Sequence, residues 1–354
     1  MSLVSLDSRI GALLAEAIGT TCTAAVCLVR GDNGGVCRIA AGNTDPDADG
    51  AQVTADTPFD LASLTKVFTG AAALRLAARR LLDPDASVQR YLPDFHGEAK
   101  EGVRVWHLLT HTSGLPAGPG LYGRRAGVDP RGALLRIPLS NPPGAKVVYS
   151  DTGFLVLGRV IEAVTGERLD AAIRELVCNP LGIRSTTFGP RPGAAATEWN
   201  VSRNRRARGE VHDENAAELG GVAGHAGLFG PAGDVLTLAS AFADPASRFL
   251  PTDMITAATS EQVVDGSERR GLAWKLRSPL ADAPERAFSA GSFGHYGFTG
   301  TAVWHDPHRG ATAVLLTNRV YYGRDPEPVR RLRTDLFDVV AGVIPGRDRG
   351  EAPP

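Results

Sequence analysis

Lysine is the first scarcity: only four of the 38 basic residues are lysines, Lys66, Lys100, Lys146 and Lys275. Arginine keeps its proton in a protein whereas lysine can release it, so a lysine beside a nucleophile stands out against this background. Excess charge is missing as well. With a net charge of -1 and a pI near 6.7, the chain has no general attraction for nucleic acid or for an anionic membrane surface. No apolar run approaches membrane-spanning length, and Asp7, Arg9 and Glu16 interrupt the stretch where an export signal needs an apolar segment. A cytoplasmic location is therefore expected. Cysteine is sparse too: Cys22, Cys27, Cys37 and Cys178 lack Cys-x-x-Cys spacing, which argues against a redox or metal role, and they read as small buried hydrophobes.

The chain is 43% hydrophobic, enough for one large domain or two intimately packed ones. Leu6, Ile10, Leu13, Leu14 and Ile18 recur near helical period, so an amphipathic helix opens the chain. Ala24 to Arg30 and Val36 to Ala41 read as strands joined by the turn residues 31–35. Helical and loop-rich sequence follows to about residue 245, with a clear helix from Thr152 to Val164 that Gly166 ends. Strand patterns return at Leu272 to Leu276, Arg286 to Ser289, Thr301 to His305 and Ala311 to Thr317, before a closing helix from Glu327 to Val340. Strands at both ends with helices between imply one sheet built from both termini. The expected division is a discontinuous sheet domain (1–75 plus 246–345), an inserted, mainly helical domain (76–245) and a flexible tail (346–354).

Chemistry concentrates first at Asp60-Leu61-Ala62-Ser63-Leu64-Thr65-Lys66, ahead of an alanine-rich run that reads as a buried helix. Ser63 and Lys66 sit three apart and share a helical face. A hydroxyl needs a neighbouring base to become a nucleophile, and a lysine of lowered pKa can be that base. Tyr149-Ser150-Asp151 is the second candidate, since a tyrosine beside an ammonium can carry protons between nucleophile and leaving group; Asp151 also suits the N-cap of the following helix. The third is His295-Tyr296-Gly297-Phe298, where a glycine lets the backbone approach a substrate and the N–H of Phe298 can join that of Ser63 in an oxyanion hole.

In this order the three segments resemble the serine β-lactamase and penicillin-binding protein superfamily, in its class C-like branch of β-lactamases, D-amino-acid peptidases and esterases. Supporting stretches are Leu108 to Leu115, Gly224-His225-Ala226-Gly227-Leu228 and Gly297-Phe298-Thr299-Gly300-Thr301. The resemblance implies an α/β (α+β) fold, an antiparallel sheet flanked by helices with an inserted all-helical domain and the active site in the cleft between. It implies that Ser63 forms the acyl-enzyme, Lys66 assists its deprotonation and Tyr149 serves as general base, then acid. Ser63 and Phe298 would supply the oxyanion hole, and Asp151, His295, Tyr296 and Gly297 would contact substrate. Two residues depart from the pattern. Asp151 replaces an asparagine that binds a substrate amide, and its carboxylate is expected to pair with Lys66. Tyr296 replaces a threonine that helps hold a substrate carboxylate, and its phenol is expected to narrow the pocket.

Other readings are weaker. Ala290-Gly291-Ser292-Phe293-Gly294 resembles a nucleophile elbow but leaves only about 60 residues for the acid and histidine of an α/β-hydrolase. His107 and His111 are spaced like metal ligands but lack the glutamate of His-Glu-x-x-His, and read as structural. His212-Asp213-Glu214 and His305-Asp306-Pro307-His308 read as isolated loop clusters, and the arginine run 203–208 as a solvated face. The expected function is a serine hydrolase acting on a small-molecule ester or amide, with no cofactor or metal. Acyl transfer, β-lactamase or D-aminopeptidase chemistry, and a non-catalytic binding protein are the alternatives.

Overall fold

Side-chain alternation decides which way each strand faces. In strand Ala24–Arg30, Ala24, Val26 and Leu28 enter one hydrophobic cluster while Ala25, Cys27 and Val29 enter another. A strand buried on both faces needs helices on both sides. The computed structural model describes residues 3–32, 34–118, 120, 129–200 and 204–346. Asn33 of the expected turn, Arg203 of the arginine run and residues 347–354 of the expected tail lie outside the described residues.

The main sheet is antiparallel throughout, with eight strands in the order 36–42, 24–30, 311–317, 302–306, 293–296, 275–276, 268–270 and 263–265. The first and last thirds of the chain meet where Ala24–Arg30 pairs with Ala311–Thr317, Cys27 opposite Leu315. Helices Leu3–Ala17 and Glu327–Val343 cover one face, packing Leu6, Ile10, Leu14, Leu336 and Phe337 with Trp304 and Leu315. Each such side chain removed from water contributes about 1.5–3 kcal/mol. On the other face lies helix Ala232–Ala243, while helix Asp151–Thr165 packs against helix Thr65–Ala78. This is an antiparallel sheet flanked by helices, the expected fold class.

Several sequence readings are corrected. Arg286 to Ser289 is not a strand: a 3-10 turn spans Pro284–Ala287 and buries Glu285. The stretch 272–276 keeps only Lys275–Leu276 as strand, because Ala273 turns into the left-handed region (φ 65°) and donates its N–H to Leu109 O at 2.9 Å. The edge strand Val263–Asp265 and its neighbour Glu268–Arg270 were not read at all. His305 and Asp306 belong to strand Ala302–Asp306 rather than to a loop. All four cysteines are free and buried, and burial pushes Cys22, Cys37 and Cys178 up to about 12.

Candidate active site

Strain sits beside the candidate nucleophile. Ala62, a residue with a Cβ, adopts φ 46°, a conformation that costs of order 1–3 kcal/mol and persists only when its surroundings enforce it. Here Asp60 enforces it: one carboxylate oxygen accepts from Ala62 N at 2.8 Å and the other from His212 N at 2.8 Å. A 3-10 turn, Ala62–Leu64, then feeds directly into helix Thr65–Ala78. Ser63 is thereby presented at the head of the helix with Lys66 one turn on, and Lys66 Nζ donates to Ser63 Oγ at 2.9 Å.

Lys66 is fully buried, yet it is surrounded by acceptors. Its Nζ lies 2.7 Å from Asp151 Oδ1 and 3.2 Å from His225 O. Burial drives its pKa down, but Asp151 and Tyr149, through charge and hydrogen bonds, overcome that effect and the net direction is upward. The lysine is held as an ammonium. Asp151 is free for this because Ser150, not Asp151, caps the following helix, its Oγ accepting from Gly153 N at 2.9 Å. A second carboxylate lies behind: Asp213 binds His225 Nε2 at 2.8 Å and caps helix Glu214–Glu218. Asp213 is held well below the usual carboxylate range; burial opposes this, but the His225 hydrogen bond and charge outweigh it, with Lys66 assisting. Asp151, Asp213 and His225 bring possible ligand atoms within 4.8 Å of one another, but the Lys66 ammonium already answers this negative charge.

Tyr149 is fixed by its ring. It lies 4.7 Å from His111 and 5.9 Å from His295, with the Lys66 ammonium 4.9 Å from its centroid and the Arg270 guanidinium 5.3 Å away. His111 accepts Ser150 N at Nδ1 (2.9 Å), so it locks the backbone next to Tyr149. The metal-ligand spacing of His107 and His111 does not act as one: His107 Nδ1 accepts from Arg104 N instead. His295 Nδ1 bonds its neighbour's carbonyl, Tyr296 O, at 2.8 Å. Burial, then the Lys66 and Arg270 charges, push His295 well below the ordinary imidazole value, so it is neutral, protonated on Nδ1, with Nε2 an acceptor.

Strand alternation sends Tyr296 away from His295. Its hydroxyl donates to Glu285 Oε2 at 2.6 Å and its ring packs near Trp304 and under the Arg333 guanidinium. Tyr296 still lines the cavity over Ser63, with its hydroxyl engaged by Glu285. The turn after it is tied to the nucleophile segment, Thr299 Oγ1 donating to Asp60 O at 2.7 Å and Thr301 Oγ1 to Leu61 O at 3.0 Å. Gly297 is needed for this approach, since a Cβ there would lie 2.7 Å from Leu61 O and 2.0 Å from Thr301 Oγ1. Phe298 stacks on His212, so that loop histidine is a part of the rim.

A cavity of about 480 Å³ opens over Ser63, Tyr149, His295, Gly297 and Phe298. Among the described residues, its remaining wall carries Tyr296 and the cations Arg270, Lys275, Arg319, Arg324 and Arg333 against a single acid, Glu268, with Pro326 and Val329 as apolar surface. The structure thus brings Ser63, Lys66, Tyr149, Asp151, His295 and Phe298 together. Sequence reasoning missed Arg270, Arg319, Arg333 and the Asp213–His225 pair. His225 lay in a stretch already singled out, whereas nothing local marks the arginines. The arginine run, by contrast, is tied to surface acids, Arg206 to Asp47 and Arg208 to Asp49.

The fold and the serine–lysine arrangement together define a serine hydrolase-type protein. The chain belongs to the beta-lactamase family, whose model matches residues 19–336. An Escherichia coli K12 protein provisionally named D-alanyl-D-alanine carboxypeptidase is 32% identical over 307 residues, covering 76% of this chain and 70% of that one. Among solved structures, EstCE1, described as a hydrolase with promiscuous acyltransferase activity, aligns with TM-score 0.77 at 23% identity, covering 94% of this chain and 99% of its own. Unliganded simvastatin synthase from Aspergillus terreus aligns with TM-score 0.73 at 21% identity, covering 96% and 98%. At these identities the structural likeness speaks for the fold alone. Among the described residues no helix is long and apolar enough to cross a membrane.

Proposed function

We propose that this protein is an esterase or amidase that forms an acyl-enzyme on Ser63 of a small-molecule substrate. The observation that carries the reading is the 2.9 Å hydrogen bond from the buried Lys66 ammonium to Ser63 Oγ, at the floor of an open cavity. An ammonium cannot take a proton, so Lys66 stabilises the developing alkoxide electrostatically, and Tyr149, reacting as its phenolate, receives the proton and becomes the phenol. Ser63 Oγ attacks the carbonyl carbon, and the carbonyl oxygen becomes an oxyanion against the N–H groups of Ser63 and Phe298. Tyr149 then returns the proton to the leaving oxygen or nitrogen as the carbon–heteroatom bond breaks. Water attacks the acyl-enzyme by the reverse proton path and frees Ser63.

Asp151 and Tyr296 support the preference for esters over β-lactams. Asp151 is engaged with Lys66, and no threonine hydroxyl stands at position 296 to hold a substrate carboxylate. Interception of the acyl-enzyme by an alcohol or amine is a second reading, supported by the apolar patch of Phe298, Pro326 and Val329, on which such an acceptor can exclude water. The name of the Escherichia coli relative makes D-alanyl-D-alanine peptides a third class to assay. The test is a p-nitrophenyl ester series of increasing chain length, beside nitrocefin and a D-Ala-D-Ala peptide. Ester hydrolysis lost in Ser63→Ala supports the proposal; silence with every ester and turnover of nitrocefin or peptide overturns the preference for esters.

A further inference from the structure

Arg333 sits on the closing helix, far from all three motifs in sequence, yet its guanidinium reaches the candidate oxyanion hole from behind. Nη2 donates to Gly297 O at 3.0 Å and to Thr301 O at 2.9 Å. Gly297 N also bonds Thr301 O at 2.8 Å, so the guanidinium seals the base of the turn between two strands. The partner arginine, Arg319, donates from Nε to Phe298 O at 2.8 Å. Both peptide planes flanking Phe298 are therefore gripped by cations.

A trans peptide is planar, with its C=O and N–H pointing in opposite directions. A donor on Gly297 O consequently dictates where Phe298 N–H points. A charged donor does more than a neutral one, because it draws electron density toward the carbonyl oxygen and makes the N–H on the other side a stronger donor. The cation has a cost: burial pushes Arg333 down to about 10. Its hydrogen bonds go to backbone carbonyls, not to a carboxylate that would offset that cost.

We propose that Arg333 is a positioning residue for catalysis, which aims and polarises the Gly297–Phe298 peptide so that Phe298 N–H stabilises the oxyanion formed on attack by Ser63. The inference rests on the acyl-enzyme reading above. Its test compares Arg333→Met, Arg333→Gln and Arg333→Lys on one p-nitrophenyl ester and on its thiono analogue, whose sulfur is a poor hydrogen-bond acceptor. Arg333→Met is expected to lower kcat about 10- to 100-fold with KM changed less than about twofold, a smaller loss than deleting a direct donor. Arg333→Lys should recover most of kcat, and the oxo-to-thiono rate ratio should shrink in the neutral variants. If Arg333→Met does not fold, Arg333→Gln, which keeps a donor without the charge, carries the same expectation. Unchanged kcat and an unchanged oxo-to-thiono ratio in a folded neutral variant overturn the inference. A wild-type protein whose Ser63 is not labelled by a fluorophosphonate and which cleaves no ester overturns the acyl-enzyme reading instead, so the two failures are distinguishable.

Discussion

Lys66 and Asp151 meet at 2.7 Å, the lysine side chain fully buried and the aspartate 29% exposed. This pair settles what the lysine is: a fixed positive charge beneath Ser63 rather than a free amine. This pair and three other features of the site can be tested by measurement.

Asp151→Asn keeps the size of the side chain and removes the counter-charge. Burial then acts on Lys66 against less opposition, its pKa falls, and the alkaline limb of kcat/KM should move to lower pH. The stability term has a definite sign. Lys66 binds its proton more tightly folded than unfolded, so the pair's contribution is complete below the ordinary lysine value of 10.5 and fades only as pH rises through the folded value. At pH 7 the variant should lose that contribution, by less than the roughly 3–5 kcal/mol of a fully buried pair, because Asp151 is partly exposed and Asp213 remains. Denaturant titration and a pH–rate profile check both; a profile superposable on that of the wild type refutes the electrostatic role.

Tyr149→Phe deletes only the hydroxyl and retains the ring between His111 and His295. A proton carrier lost without its packing should lower kcat about 10²- to 10⁴-fold. Thermal unfolding should shift by no more than about a degree or two. A variant that keeps its activity would remove Tyr149 from the proton path.

Gly297→Ala places a methyl group against Leu61 O and Thr301 Oγ1. Overpacking of this kind costs about 1–3 kcal/mol, and here it also pushes the third segment away from Ser63. A lowered Tm together with a kcat reduced at least tenfold is expected. Wild-type kinetics would show that the close approach is unnecessary.

His111 and His295 are both pushed well below the ordinary imidazole value of 6.5, by burial first and then by the Arg270 and Lys66 charges, with His295 adding to the effect on His111. The unfolded chain binds these protons more readily than the folded one, so stability should fall as pH drops below 6.5. Each histidine contributes a slope of up to about 1.4 kcal/mol per pH unit. Tm measured from pH 7 to 5 should fall, and His295→Gln should flatten the decline. A slope unchanged by that substitution would argue that His295 is not buried neutral.

Legibility in the sequence followed the range of the interactions. Ala24–Arg30 and Ala311–Thr317 are unbroken apolar runs bounded by turns, so their strands could be read directly. Glu268–Arg270 is three charged residues, one strand in from the sheet edge, and has no period to read. Arg286 to Ser289 misled because the turn before it buries Glu285, whose carboxylate is satisfied by the distant Tyr296 hydroxyl, which no local pattern reveals. Ser63 and Lys66 were visible because one helical turn joins them. Asp213 and His225 are joined only by folding around Lys66, and Arg333 reaches Gly297 across 36 residues. The side to which Tyr296 points was within reach, since alternation from His295 already assigns it.

The ties from Thr299 to Asp60 and from Thr301 to Leu61 span 239 and 240 residues. During synthesis, Ser63 and Lys66 leave the ribosome long before the segment that completes their surroundings. On the acyl-enzyme reading, a growing chain carries Ser63 with its proposed oxyanion partner still unmade. Fluorophosphonate labelling of Ser63 is then expected to serve as a clock for folding, rising only when the strand at 302–306 has docked and drawn the two distant segments into register.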